Sequence, residues 1–118
     1  MEEIEMLKGI LNSYPYPIVF VDNDYIIRYM NRNAEYHYYD ERGYKNLIGE
    51  SLFDCHNNSK SVERIKMAYE GIKKNGKEVF VTLTSRNQRV YMQGVRDSKG
   101  NWIGFIERFE LNLQIDNK

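Results

Sequence analysis

Val95-Arg96-Asp97-Ser98-Lys99-Gly100-Asn101-Trp102-Ile103-Gly104-Phe105-Ile106 reads as strand, tight polar turn, strand. Asp97 and Gly100 bracket the reversal. Gly100 tolerates the positive φ that such a turn needs, and the Asp97 carboxylate is placed to accept backbone N–H groups two residues on. A hairpin that comes last, after a long helix and another strand, marks an α+β chain and narrows the choice of folds.

Reading outward from the hairpin, strands are expected over 77–84, 87–96 and 101–110. Before them, Ser59–Lys74 carries Val62, Ile65, Met67, Ala68, Tyr69 and Ile72, the apolar face of a helix, and Asn75-Gly76 ends it with a residue that accepts left-handed φ. Nearer the N-terminus, Ile18-Val19-Phe20-Val21 is β-branched and aromatic. Asp22-Asn23-Asp24 makes a turn, and Tyr25–Met30 forms a second strand. Asn31 can cap a short helix over Arg32–Tyr39, which Asp40–Gly43 breaks. A further short helical segment is expected up to Ile48, with Gly49 as its stop. Ser51–Asn58 reads as a turn-rich connection. Residues 2–12 place Ile4, Leu7, Ile10 and Leu11 near one face of an amphipathic helix that Tyr14-Pro15-Tyr16-Pro17 terminates. Three units result: a helix over 1–13, a core domain over 14–112 and a tail over 113–118.

The chain has 118 residues, enough for one core and one pocket or interface. Lys plus Arg (17) balances Asp plus Glu (17), and no basic run exceeds Lys73-Lys74, which argues against direct nucleic-acid binding. The longest apolar run, Ile18–Val21, is far short of the roughly 20 residues of a membrane span. The acidic start, Met1-Glu2-Glu3-Ile4-Glu5, is the opposite of a secretory signal, and the single cysteine forms no internal disulfide. A cytoplasmic setting without membrane contact is therefore the expectation. Ten tyrosines offer apolar faces with polar tips, suited to interfaces and to pockets of mixed polarity.

Four pieces in order resemble the PAS domain family: Asn12–Asp22, the Tyr29-Met30-Asn31-Arg32-Asn33-Ala34-Glu35 strand-to-helix segment, Leu47-Ile48-Gly49-Glu50-Ser51-Leu52-Phe53, and the closing hairpin with Asp97, Gly100 and Gly104. Together they cover roughly residues 10–110. The resemblance implies a five-stranded antiparallel sheet of order 2-1-5-4-3, helices on one face, and a small-molecule pocket between the two. It implies a sensory module of signal transduction or transcription regulation, not an enzyme, working with a small-molecule ligand or a signalling protein partner. It also implies a homodimer formed through the helix before the first strand, so Ile4, Leu7 and Leu11 are candidate interface residues. Asp54-Cys55-His56 followed by Lys60-Ser61 is similar to a variant of the family with Cys-His and then Lys-Ser ahead of the long helix.

Cys55 and His56 are the residues best placed for chemistry. Adjacent side chains can approach one metal, but a mononuclear site needs three or four ligands and the only other histidine is His37. Haem needs one or two axial ligands, so it stays open as a cofactor. Against it, the haem-bearing members resembled here carry their histidine in the long helix, where this chain has none. Cys55 also reads as a small buried hydrophobe, or as a thiol activated near a helix N-terminus, and His56 as a cap of the helix that follows. Flavin is disfavoured, because the photosensor members need a cysteine three residues after the family glycine and this chain has Leu52 there. Tyr38, Met67, Tyr91 and Met92 are further candidates for lining a pocket, core filling being the plainer role for each. Asp22/Asp24 and Asp40/Glu41 sit in turns where capping is the ordinary role, so no acid/base pair is assembled.

Overall fold

A computed structural model describes residues 1–55 and 59–113, leaving aside the side chains of residues 55 and 59. Helix α1 (Glu3–Ser13) leads into strands β1 (Ile18–Asp22) and β2 (Ile27–Met30). A short helix α2 (Arg32–Glu35) runs on into a π-helical turn (Tyr36–Glu41), and a 3-10 turn (Leu52–Cys55) precedes α3 (Ser59–Asn75). Strands β3 (Val79–Leu83), β4 (Gln88–Arg96) and β5 (Trp102–Leu111) close the fold. The sheet is antiparallel in the order β2-β1-β5-β4-β3, as the family resemblance implies.

Strand alternation sorts the sheet into two faces. Val19, Val21, Val90, Met92, Phe105 and Phe109 are buried on the inner face. Val19, Val21, Met92 and Phe105 form one core cluster with Ile65, Tyr69 and Ile72 of α3, spaced four and three apart along one helix stripe. The closing hairpin, β4 to β5, forms as its residues dictate. Gly100 has φ 87°, and the Asp97 carboxylate accepts the N–H groups of Lys99 and Asn101, both at 2.9 Å. Gly104 sits at φ 150°, with Val21 O only 2.1 Å from where a Cβ would stand, so β1 and β5 approach there as only glycine permits.

Asn31 joins the first helix to the sheet. Its side chain is fully buried, and its Oδ1 accepts the N–H groups of Ile18 and Ala34, both at 2.9 Å. Its Nδ2 donates to the carbonyls of Leu11 (3.1 Å) and Tyr16 (3.0 Å). Asn12 Oδ1 accepts the Arg32 N–H, and Asn33 Nδ2 donates to the Tyr14 carbonyl. These bonds hold the C-terminal end of α1, whereas none of the residues of α1 is buried. The helix therefore stands largely exposed, joined to the sheet at its C-terminal end.

Four local expectations give way. The helix expected over 32–39 is α-helical only to Glu35 and then widens into the π turn. No second helical segment forms before Ile48, because Gly43 (φ 80°) and Asn46 (φ 54°) both take left-handed backbone that interrupts a helical repeat. The second strand starts at Ile27 instead of Tyr25. Tyr25 has φ 64° inside the turn, where the Asp22 carboxylate accepts the N–H groups of Asp24 and Ile26. Met67 does not join the apolar face of α3, since the stripe through Ile65, Tyr69 and Ile72 leaves it pointing out, 70% exposed.

Candidate functional site

Two adjoining cavities lie between the inner face of the sheet and the segments that cover it. The first, about 340 Å³, is walled by Val19, Ile27, Met30, Val90 and Phe109 from the sheet and by residues of the segment 37–47, with Leu52. The second, about 280 Å³, lies between Ser61, Arg64, Ile65 and Ala68 of α3 and the inner residues of β3 and β4. Val81, Thr82 and Glu107 line both. Their volumes fall around the lower end of the range typical of small-molecule sites.

The π turn shapes the first cavity. Its wider winding brings His37 and Tyr38 to the cavity and stacks His37 edge-on to Phe109, ring centres 5.3 Å apart. His37 Nδ1 lies 3.3 Å from Glu41 Oε1, and Glu41 in turn pairs with Arg86. Burial is the largest influence on His37 and lowers its pKa, opposed by the Glu41 hydrogen bond. Arg42 lies over the rings of Tyr38 and Tyr44, 5.7 and 5.2 Å from their centres. The Tyr39 hydroxyl accepts the Leu47 N–H at 3.1 Å and ties the turn to the irregular segment that follows.

Glu107 is the group that the sequence reading missed. It sits at the middle of β5, paired across to Val19 on β1 and Met92 on β4, and is only 9% exposed. Burial alone raises its carboxyl pKa to about 7. The signal was present in the strand itself: Phe105, Glu107 and Phe109 share one parity, which puts a charged residue on the apolar face.

The candidates named from the sequence separate accordingly. Tyr38 lines the first cavity, and Met92 is buried in the wall of the second. Tyr91 cannot accompany its neighbour, because adjacent strand residues face opposite sides. It stands on the outer face against Phe80, with Arg108 over its ring at 4.7 Å. Met67 points away from both cavities for the helical reason given above. His56 lies outside the described residues, and Cys55 is described only in its backbone, at the end of the 3-10 turn. Among the described residues no group of three His, Cys, Asp or Glu is gathered as a metal site would need. Of the candidate interface residues, Ile4 and Leu7 are 66% and 48% exposed and Leu11 is half-buried. Among the described residues no helix is long and apolar enough to cross a membrane.

Comparison with known proteins agrees with this architecture. No curated protein matches. Among solved structures, the chain is similar to a C-terminal domain from Streptococcus mutans, with 24% identity over 91% of this chain and 83% of that one and a TM-score of 0.72. It is also similar to the PAS domain of a protein from Colwellia psychrerythraea, at 14% identity, 92% and 96% coverage and a TM-score of 0.66. A sensory box sensor histidine kinase from Vibrio cholerae matches at 13% identity, 91% and 87% coverage and a TM-score of 0.59. At these identities the likeness carries the fold. The family model described as PAS domain matches residues 7–110, nearly the whole chain, and the protein belongs to the PAS domain family.

Proposed function

We propose that this domain is a sensory or signalling module that takes a small molecule into the paired cavities and passes the change on through contacts with a second copy or a signalling partner. The observation that carries the reading is the pair of cavities on the inner face, walled by apolar residues and sharing the buried Glu107. A ligand there would touch Met30, and Met30 is followed directly by Asn31, whose side chain holds the end of α1. Repacking at the cavity thus has a short mechanical route to the exposed helix.

The outward face of α1 supports a partner surface. Ile4, Met6, Leu7 and Ile10 are all about half or more exposed, an apolar stripe that gains by being covered. The reading is of a binding domain without catalysis of its own. The ionisable cavity groups are not assembled as an acid/base pair, since His37 is bonded to Glu41 and not to Glu107.

The test is native mass spectrometry of protein purified without additives, followed by analytical ultracentrifugation of the unmodified chain and of Leu7→Asp. A retained small molecule, with a dimer that Leu7→Asp converts to monomer, is the expected result. A chain that retains nothing, gains no ligand from a metabolite mixture and sediments as a monomer without a partner would overturn the reading.

A further inference from the structure

Glu107 sets the chemistry of what the cavities accept. Its neighbours on the inner face are apolar: Phe105 and Phe109 along β5, Val19 and Met92 across it, all 4% exposed or less. Among the described residues its carboxylate accepts no hydrogen bond and forms no ion pair. Every fully sealed side-chain nitrogen or oxygen among those residues has a partner, so the Glu107 oxygens reach open space, and that space is the two cavities. The charged groups that face the cavities from the covering elements are engaged with other side chains or, like Arg64 in the lining of the second cavity, solvent-exposed. His37 is bonded to Glu41, Arg42 lies over Tyr38 and Tyr44, and Arg64 on α3 is exposed.

A buried carboxylate without a partner is costly, and a ligand that sealed it in with hydrocarbon would add to the cost. A ligand acid would bring a second like group to the same spot. A protonated amine brings the opposite charge and three donors, in surroundings where such a bond is stronger than in water. Resting on the reading of the cavities as a ligand site, we propose that they take an apolar organic amine, its protonated nitrogen held by the Glu107 carboxylate and its hydrocarbon body along Val19, Val90 and Phe109. Thr82, an exposed residue of β3, also lines both cavities.

The experiment uses three probes with one body and different heads: 3-phenylpropylamine, 3-phenylpropanol and 3-phenylpropanoic acid. Each is titrated into the full chain and into Glu107→Gln, with binding read from amide shifts of Val19, Thr82 and Val90 in proton–nitrogen NMR spectra. The amine is expected to bind about tenfold or more tightly than the alcohol in the unmodified chain, and to fall to the alcohol's affinity in Glu107→Gln while the alcohol itself is unaffected. Equal or tighter binding of the alcohol or the acid overturns the amine assignment and leaves the cavities standing as a ligand site, as does an amine preference that survives in Glu107→Gln. If none of the three probes moves those amides, the amine assignment and the ligand-site reading fall together. The comparison of heads in the unmodified chain stands by itself should the variant fold poorly.

Discussion

Replacing Glu107 by Gln should abolish the pH dependence of stability that this one carboxyl imposes. Burial raises its pKa from 4.5 to about 7, and at about 1.4 kcal/mol for each tenfold change in proton affinity this amounts to about 3 kcal/mol. The folded state holds the proton more tightly than the unfolded chain does. Stability is therefore complete below pH 4.5, falls as pH rises through the window from 4.5 to about 7, and stays low above it. Glutamine keeps the shape and does not titrate, so the stability of the unmodified chain minus that of Glu107→Gln should drop by about 3 kcal/mol between pH 4 and pH 8. Taking the difference matters because His37, in the same cavity, acts with the opposite sign. Its pKa is lowered, chiefly by burial, so acid and not alkali destabilises the fold through it. The assay is urea unfolding followed by fluorescence of Trp102, the only tryptophan. In thermal unfolding the same effect corresponds to a shift of about 10 °C. Parallel stability curves for the two proteins from pH 4 to pH 8 would refute the placement of this carboxyl in an apolar wall.

Asn31→Ala should destabilise the domain by about 3 kcal/mol or more in urea unfolding, because it strips partners from two N–H groups and two carbonyls at a fully buried position; a loss below about 1 kcal/mol would show that water takes over those bonds. Gly104→Ala should abolish soluble expression or lower the melting temperature sharply, since its Cβ would stand 2.1 Å from Val21 O at φ 150°. Gly71→Ala, in mid-helix with open space around the new methyl, should instead stabilise by roughly 0.5–1 kcal/mol, and the opposite sign would mean that α3 is not helical there.

Much of the fold was legible because it is written in local chemistry. The Asp97–Gly100 turn, the left-handed Gly76 after α3 and the Asn31 cap each act within a few residues of themselves, and all three form as read. Asn31 was legible only in part. Its capping of α2 follows from its position before Arg32, but its two bonds to the Leu11 and Tyr16 carbonyls depend on where α1 comes to rest. The boundaries that failed, at Tyr25 and over 43–48, lie where left-handed backbone at Tyr25 and Asn46 overrides the residue's ordinary preference.

The candidate site was legible where periodicity is strict and illegible where it is not. Val90 and Met92 inward, Tyr91 outward, follows from alternation alone, and so does the inward Glu107 between Phe105 and Phe109. The winding of Tyr36–Glu41 into a π turn, which brings His37 and Tyr38 to the cavity, leaves no periodic mark in the sequence.

The amino-acid sequence alone determined the strands, the long helix, their turns and the neutral charge balance, because propensity, capping and alternation act over short distances. Only the tertiary structure decided that α1 would stand clear of the core and that two cavities would open over β5. It also left the Glu107 carboxyl there with no partner among the described residues. Those outcomes depend on how strands far apart in the chain come side by side, and on burial, which no residue sets for itself.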